Sequence, residues 1–186
     1  MRNFLRQYAA ITLSMVFWSL SFVWFKIANK SYGPITIVFI RLIIAVAFLS
    51  LLLWITKGFQ KIEREDRKYF FFLAFFEPFT YFLGESFGLT YVSSTVGSVI
   101  ISTIPVFVIL FAWIIYRERL KLINYLGAII SFAGILIFIA SPNGSISISM
   151  KGLLLLLLAV CSAVGYGMVL HRLAPKYNAI VIVNIQ

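Results

Sequence analysis

Six apolar stretches of about 20 residues follow one another along this chain, each as long as a helix must be to cross roughly 30 Å of hydrocarbon at 1.5 Å per residue. They run Tyr8–Ile27, Ile35–Trp54, Tyr69–Val92, Thr95–Tyr116, Ile123–Ala140 and Gly152–Leu170, and a seventh begins near Asn178 and reaches Gln186. None alternates apolar and polar residues, so the backbone must be satisfied within helices and not in a closed barrel. The connections Ser31-Tyr32-Gly33-Pro34, Ser93-Ser94 and Ser141-Pro142-Asn143-Gly144-Ser145 are turn formers with no room for a soluble domain. With 62% hydrophobic and 12% charged residues, there is too little polar surface to clothe a water-soluble domain. The expected fold is an all-α polytopic membrane protein, a helical bundle in the lipid bilayer.

Charge sets the orientation. Arg2, Arg6, Lys57, Lys61, Arg64, Arg67, Lys68, Arg117, Arg119, Lys121, Arg172 and Lys176 fall at one set of alternate span ends, and only Lys26, Lys30 and Lys151 at the other. By the positive-inside rule this bias puts the amino terminus in the cytoplasm of a multi-pass protein of the cytoplasmic membrane. The net charge of +10 is a topology signal, and no nucleic-acid partner is expected, because the bases are not clustered on a soluble face. Arg2 and Arg6 precede a first span with no small-residue cleavage site after it, so it reads as uncleaved. The single cysteine, Cys161, lies within the sixth span, and the single histidine, His171, at a helix end. Neither offers a metal site, and no metal or cofactor is expected.

Within the spans three ionisable residues stand out: Arg41, Glu77 and Glu85. A charged group at a helix centre costs at least about 2.5 to 3.5 kcal/mol on insertion scales, so it is found beside a partner or a water-filled path. Arg41 lies seven residues below Pro34, and Glu85 seven residues before Val92. Both are thus about 10 Å in from the same side, on neighbouring helices that run in opposite directions. They are placed to pair, either as a charge site for substrate or gating or as a structural ion pair that fixes helix packing. Glu77, eight residues into the third span, has no basic residue at its depth. A carboxyl in that setting can take up and release a proton near neutral pH, which makes Glu77 the coupling candidate. The alternative is a protonated Glu77 hydrogen-bonded at the kink made by Pro78.

Helical spacing gathers more candidates. Glu77, Tyr81, Gly84 and Gly88 share a stripe with Glu85 at its margin, and Gly84 and Gly88 form a small-xxx-small pair. Ser94, Ser98, Ile101 and Pro105 share another, bordered by Ser102, and Pro105 deprives the Ile101 carbonyl of its helical partner. Ser14, Trp18, Ser21 and Phe25 form a third. Three faces could therefore line one cavity, with Pro78 and Pro105 as hinges. Against this, Ser98 and Ser102 could simply bond their own backbone, and Trp18 could face lipid or core.

The sequence also carries a repeat. Tyr32-Gly33-Pro34-Ile35-Thr36-Ile37-Val38 is echoed by Lys176-Tyr177-Asn178-Ala179-Ile180-Val181-Ile182. A five-helix unit would start its second copy on the opposite side of the membrane, giving the inverted repeat common in secondary transporters. Phe17-Trp18-Ser19-Leu20-Ser21-Phe22 with Lys26, Pro34 with Arg41, Gly84-Glu85-Ser86-Phe87-Gly88-Leu89-Thr90-Tyr91, Pro105 and Glu118 together resemble the first repeat of EamA-type exporters in the drug/metabolite transporter superfamily. That resemblance implies ten helices in two inverted five-helix repeats and export of small metabolites or drugs. Residues 1–140 would be the first repeat and 152–186 the start of the second. The chain departs from the plan by ending in helix seven, so it is expected to be a fragment or to pair with a second copy or the missing C-terminal helices.

Other classes fit less well. An embedded hydrolase needs a nucleophile with a base, or a metal, and Gly84-Glu85-Ser86 is no nucleophile elbow. No phosphate-binding Walker sequence occurs, so ATP is not hydrolysed by this chain. A channel or a helical scaffold subunit is the alternative, but no filter loop is visible. The expected function is alternating-access export of a small-molecule substrate, with proton exchange at Glu77 as the candidate coupling step. Its pathway would include Trp18, Ser21, Arg41, Tyr81, Glu85, Ser98 and Ser102.

Overall fold

The computed structural model of the chain describes residues 2–116, 122–140 and 149–186. Glu118 and the Asn143-Gly144-Ser145 turn fall outside them. Nine α-helices occur among the described residues, and no strand does. They are α1 (Arg2–Ala28), α2 (Pro34–Thr56), α3 (Arg67–Ala74), α4 (Tyr81–Tyr91), α5 (Ser94–Ile101), α6 (Ile104–Tyr116), α7 (Leu122–Ala140), α8 (Met150–Leu173) and α9 (Ala179–Ile185), with a kinked segment, Phe75–Thr80, between α3 and α4. The protein is an all-α membrane protein, and four of its helical stretches are long and apolar enough by themselves to cross a bilayer.

Local chemistry explains where helices start and stop. Pro34 opens α2 at a position where the missing N–H costs nothing. Lys57 closes it in the left-handed region at φ 51°, with Lys57 N–H donating to Trp54 O and Gly58 N–H to Leu53 O, a Schellman pattern. Ser93 caps α5 by accepting from Val96 N–H, and Asn178 caps α9 by accepting from Ile180 N–H.

Two of the expected spans are broken, each at a proline. The third is interrupted at Glu77, whose φ of −141° and ψ of 121° are extended, with Pro78 next to it. The fourth parts at Ser102 and Thr103, immediately before Pro105 in the first turn of α6. Proline lacks an N–H and clashes with the preceding turn, so a helix carrying one inside must bend or part.

The centre of the bundle is α4 against α8. A Cβ added at Gly84 would lie 2.7 Å from Leu155 O, and one at Gly152 would lie 2.9 Å from Tyr91 Cβ. Only glycine permits backbones this close, and close backbones are how helices associate in lipid. Around this seam α1, α4, α5 and α8 bury one apolar cluster that includes Phe22, Tyr81, Leu89, Ile100 and Leu156. A second cluster, of Phe70, Leu73, Leu173, Tyr177 and Ile182, closes the end where α3, α8 and α9 meet.

Candidate functional site

The charged residues of the spans come together. Arg41 on α2 and Glu85 on α4 face each other with Arg41 Nη1 3.8 Å from Glu85 Oε2. The Glu85 side chain is 5% exposed and that of Arg41 40%. One helical turn before Glu85, Tyr81 Oη donates a 2.9 Å hydrogen bond to Glu85 Oε1. The guanidinium also lies over the Phe82 ring, 4.4 Å from its centroid, a cation–π contact with α4. The carboxylate is thus anchored on one oxygen by a phenol and approached on the other by a cation held at more than hydrogen-bond length.

Glu77 does not stand apart from this pair. It is partly buried at the break, and its carboxyl interacts electrostatically with both Glu85 and Arg41. Its segment is broken over Phe75–Thr80, so depth along it does not follow from counting residues on a straight helix. The break itself is mended from another helix: Ser162 Oγ on α8 donates a 2.6 Å hydrogen bond to Phe76 O. Gly165, one turn on, leaves room for the Phe76 ring, which a Cβ there would meet at 2.7 Å.

One cleft takes in residues of two of the three stripes. A cleft of about 270 Å³ opens between α1 and the α5–α6 break, and its wall includes Trp18, Ser98, Ser102 and Pro105, with Phe22, Ile101 and Ile104 beside them. Ser21, Arg41, Glu77, Pro78, Tyr81 and Glu85 are not part of that wall. The α4 stripe turns elsewhere because Gly84 and Gly88 seat α8. The serine hydroxyls bond their own helices: Ser21 to Trp18 O at 2.6 Å, Ser98 to Thr95 O at 2.9 Å and Ser102 to Val99 O at 2.7 Å. This local bonding satisfies each hydroxyl in an apolar setting. Cleft and charges still share a packing shell, since Phe22 and Ile101 belong to the same buried cluster as Tyr81, and Phe82 packs against it.

A second polar group, which sequence reasoning passed over, lies at the α3–α8–α9 end. Asp66 is 1% exposed. Lys176 Nζ and Tyr177 Oη each donate to its Oδ2 at 2.9 Å. Asp66 occupies the N-cap position of α3, yet its side chain makes no capping bond. The hydrogen bond from Lys176, aided by Tyr177 and opposed by burial, holds its carboxyl below the ordinary range. The same bond holds the Lys176 ammonium above its usual value. The only hint in the sequence is that Asp66 is its sole aspartate, set just before a helix.

Among the described residues no group of His, Cys, Asp and Glu could hold a metal ion. What the spans bring together is a cation, a carboxylate and a phenol among apolar helices.

Known proteins place this geometry. An Archaeoglobus fulgidus protein named as an uncharacterized transporter is 28% identical over 97% of this chain and 63% of its own length. The uncharacterized transporters YcxC and YdfC of Bacillus subtilis are 31% and 28% identical over 91% of this chain, which spans 54% and 55% of their lengths. The chain therefore covers roughly half to under two thirds of these relatives. No solved structure gives a significant match. The EamA-like transporter family model matches residues 5–140, which hold both proline breaks, the cleft and all three intramembrane charges. A multi-pass helical chain matched over most of its length, with its buried charges inside the matched region, belongs to the EamA-like transporter family.

Proposed function

We propose that the protein acts as a secondary transporter of the cytoplasmic membrane, amino terminus in the cytoplasm, exporting a small amphiphilic metabolite or drug by alternating access. The observation that carries this reading is the Arg41–Glu85–Tyr81 cluster, a cation, a carboxylate and a phenol held among apolar helices beside a helix broken at Glu77. Groups of this kind are costly in hydrocarbon and mark substrate or ion paths. A guanidinium held loosely on its carboxylate can change partners when a charged substrate group arrives. The cleft at Trp18 and Pro105, about 270 Å³, lies just below the size range of drug-binding sites and supports a small cargo with an apolar part.

The breaks at Pro78 and Pro105 supply points at which helix halves can rotate, the role of hinges in such a cycle. An inverted repeat starting at α8 fits the connections: α1 leads to α2 through residues 29–33, and α8 to α9 through residues 174–178, five residues each. Glu77, interacting with Arg41 and Glu85, is placed to exchange a proton as the pair opens and closes.

Reconstituted protein tests both parts. Counterflow with pooled labelled metabolites in proteoliposomes should show saturable accumulation; flux no greater than in protein-free liposomes removes the transporter reading. Glu77→Gln should keep counterflow but lose any dependence on a pH gradient. Unchanged pH dependence takes Glu77 out of the coupling role.

A further inference from the structure

At the α3–α8–α9 end, two segments more than a hundred residues apart are tied by a row of polar contacts. Asp66 holds Lys176 and Tyr177, each at 2.9 Å. Tyr177 Oη accepts from Glu63 N–H at 3.2 Å, Lys176 lies 3.9 Å from Glu63, and Asn178 N–H donates to Gln60 Oε1 at 2.7 Å. Beneath this polar row sits an apolar plug in which Leu73, Leu173 and Ile182 are almost wholly buried and Phe70 meets Tyr177 edge to face.

We infer that residues 60–66 and the 174–178 turn form a latch that seals one end of the molecule, and that they must part for the Arg41–Glu85 region to open toward that end. The inference rests on the alternating-access reading above.

Three features distinguish a latch from a permanent staple. Asp66 leaves the α3 amide groups uncapped and spends its carboxylate across the gap, although an aspartate at this position ordinarily caps its own helix. Lys176 reaches water, its side chain being 45% exposed, so the contacts it gives up can be replaced by solvent contacts. A partly open cavity of about 170 Å³ walled by Tyr166, Leu170, Tyr177 and Ile182 adjoins the plug and leaves these side chains room to shift. A polar rim over an apolar plug supplies a seal that water cannot cross and a fastening that water can release.

Thiol accessibility reads the latch directly. In a Cys161→Ser background, Ile182→Cys places one thiol in the plug, and a charged thiol reagent should label it slowly. Asp66→Asn or Lys176→Gln should speed labelling about tenfold or more, the change expected when a charge-assisted hydrogen bond is lost. The exchange Asp66→Lys with Lys176→Asp should slow it again. Should Asp66→Asn fail to fold, Tyr177→Phe keeps the ring and removes one contact, and should also speed labelling. In separate protein, Gln60→Cys with Asn178→Cys should, once oxidised, stop flux, and reductant should restore it.

Unchanged labelling in the folded variants overturns the latch, as does full flux through the oxidised pair. Labelling needs no transport, so a protein without flux before oxidation defeats the transporter reading while labelling still decides the latch.

Discussion

Two buried carboxylates in this molecule take the same kinds of partner, a tyrosine hydroxyl and a basic side chain, and hold them differently. Asp66 binds both at 2.9 Å, and both come from one turn far along the chain. Glu85 binds its phenol at 2.9 Å from one helical turn away, but its guanidinium stays at 3.8 Å and is held partly by an aromatic face. The first set is short and joins two segments. The second keeps a cation in reserve. Similar chemistry is thus held tight at one carboxylate and loose at the other, and distance separates the two.

The sharpest way to break that contrast is to remove Glu85. Glu85→Ala strands Arg41 among apolar helices, at about 2.5 to 3.5 kcal/mol for a charge at helix-centre depth, and should give the largest loss of thermal stability in detergent. Adding Arg41→Leu should recover most of that loss while flux stays absent, since neighbouring sites of this kind are not additive. Flux returning with stability would make the pair structural and erase the difference between the two carboxylates.

Next in size is Asp66→Asn, whose pH dependence sharpens the comparison. Asp66 titrates below its ordinary 3.8, so its contribution is complete above that value and fades only as pH falls through the depressed one. Lys176 titrates above its ordinary 10.5, so its share is complete below that value and fades as pH rises through the raised one. The groups facing Asp66 are Lys176, Tyr177 and, at longer range, Arg172, with Glu63 on the far side of Lys176. The Tm gap between native protein and Asp66→Asn should be level from about pH 5 to about pH 9 and close in stronger acid. A gap that varies within that window would mean that a different group controls this end.

Ser162→Ala removes one hydrogen bond between helices and should cost about 0.6 kcal/mol, the average found for such bonds in a membrane bundle. A much larger loss would show that the break at Glu77 depends on α8 for its shape. Smallest of all, Ser98→Ala and Ser102→Ala should each change stability by less than about 0.5 kcal/mol, because both hydroxyls bond their own backbone. Reduced counterflow in these variants, with stability unchanged, would make the cleft part of the route.

What the sequence made legible follows from one-dimensional physics. Span positions came within a few residues, as for Ile35–Trp54 against Pro34–Thr56, because membrane thickness prescribes length. Arg41 and Glu85 met because counting residues on antiparallel helices gives depth. The partners of Asp66 were illegible, since no local pattern tells that the 60–66 segment meets a turn more than a hundred residues later. Glu77 resists such counting for a related reason: depth counting assumes an unbroken helix, and the third span is broken at that residue.

The glycine seam between α4 and α8 carries one further consequence. Residues 5–140 match the family model, yet the helix filling the groove beside Gly84 and Gly88 begins at Met150. A unit recognised by homology is therefore not a unit that closes on itself. Without α8 the small-residue face of α4 would lack the close helix partner that it has in this fold. The end of the matched region, drawn along the chain, falls between two helices that pack closely at glycines.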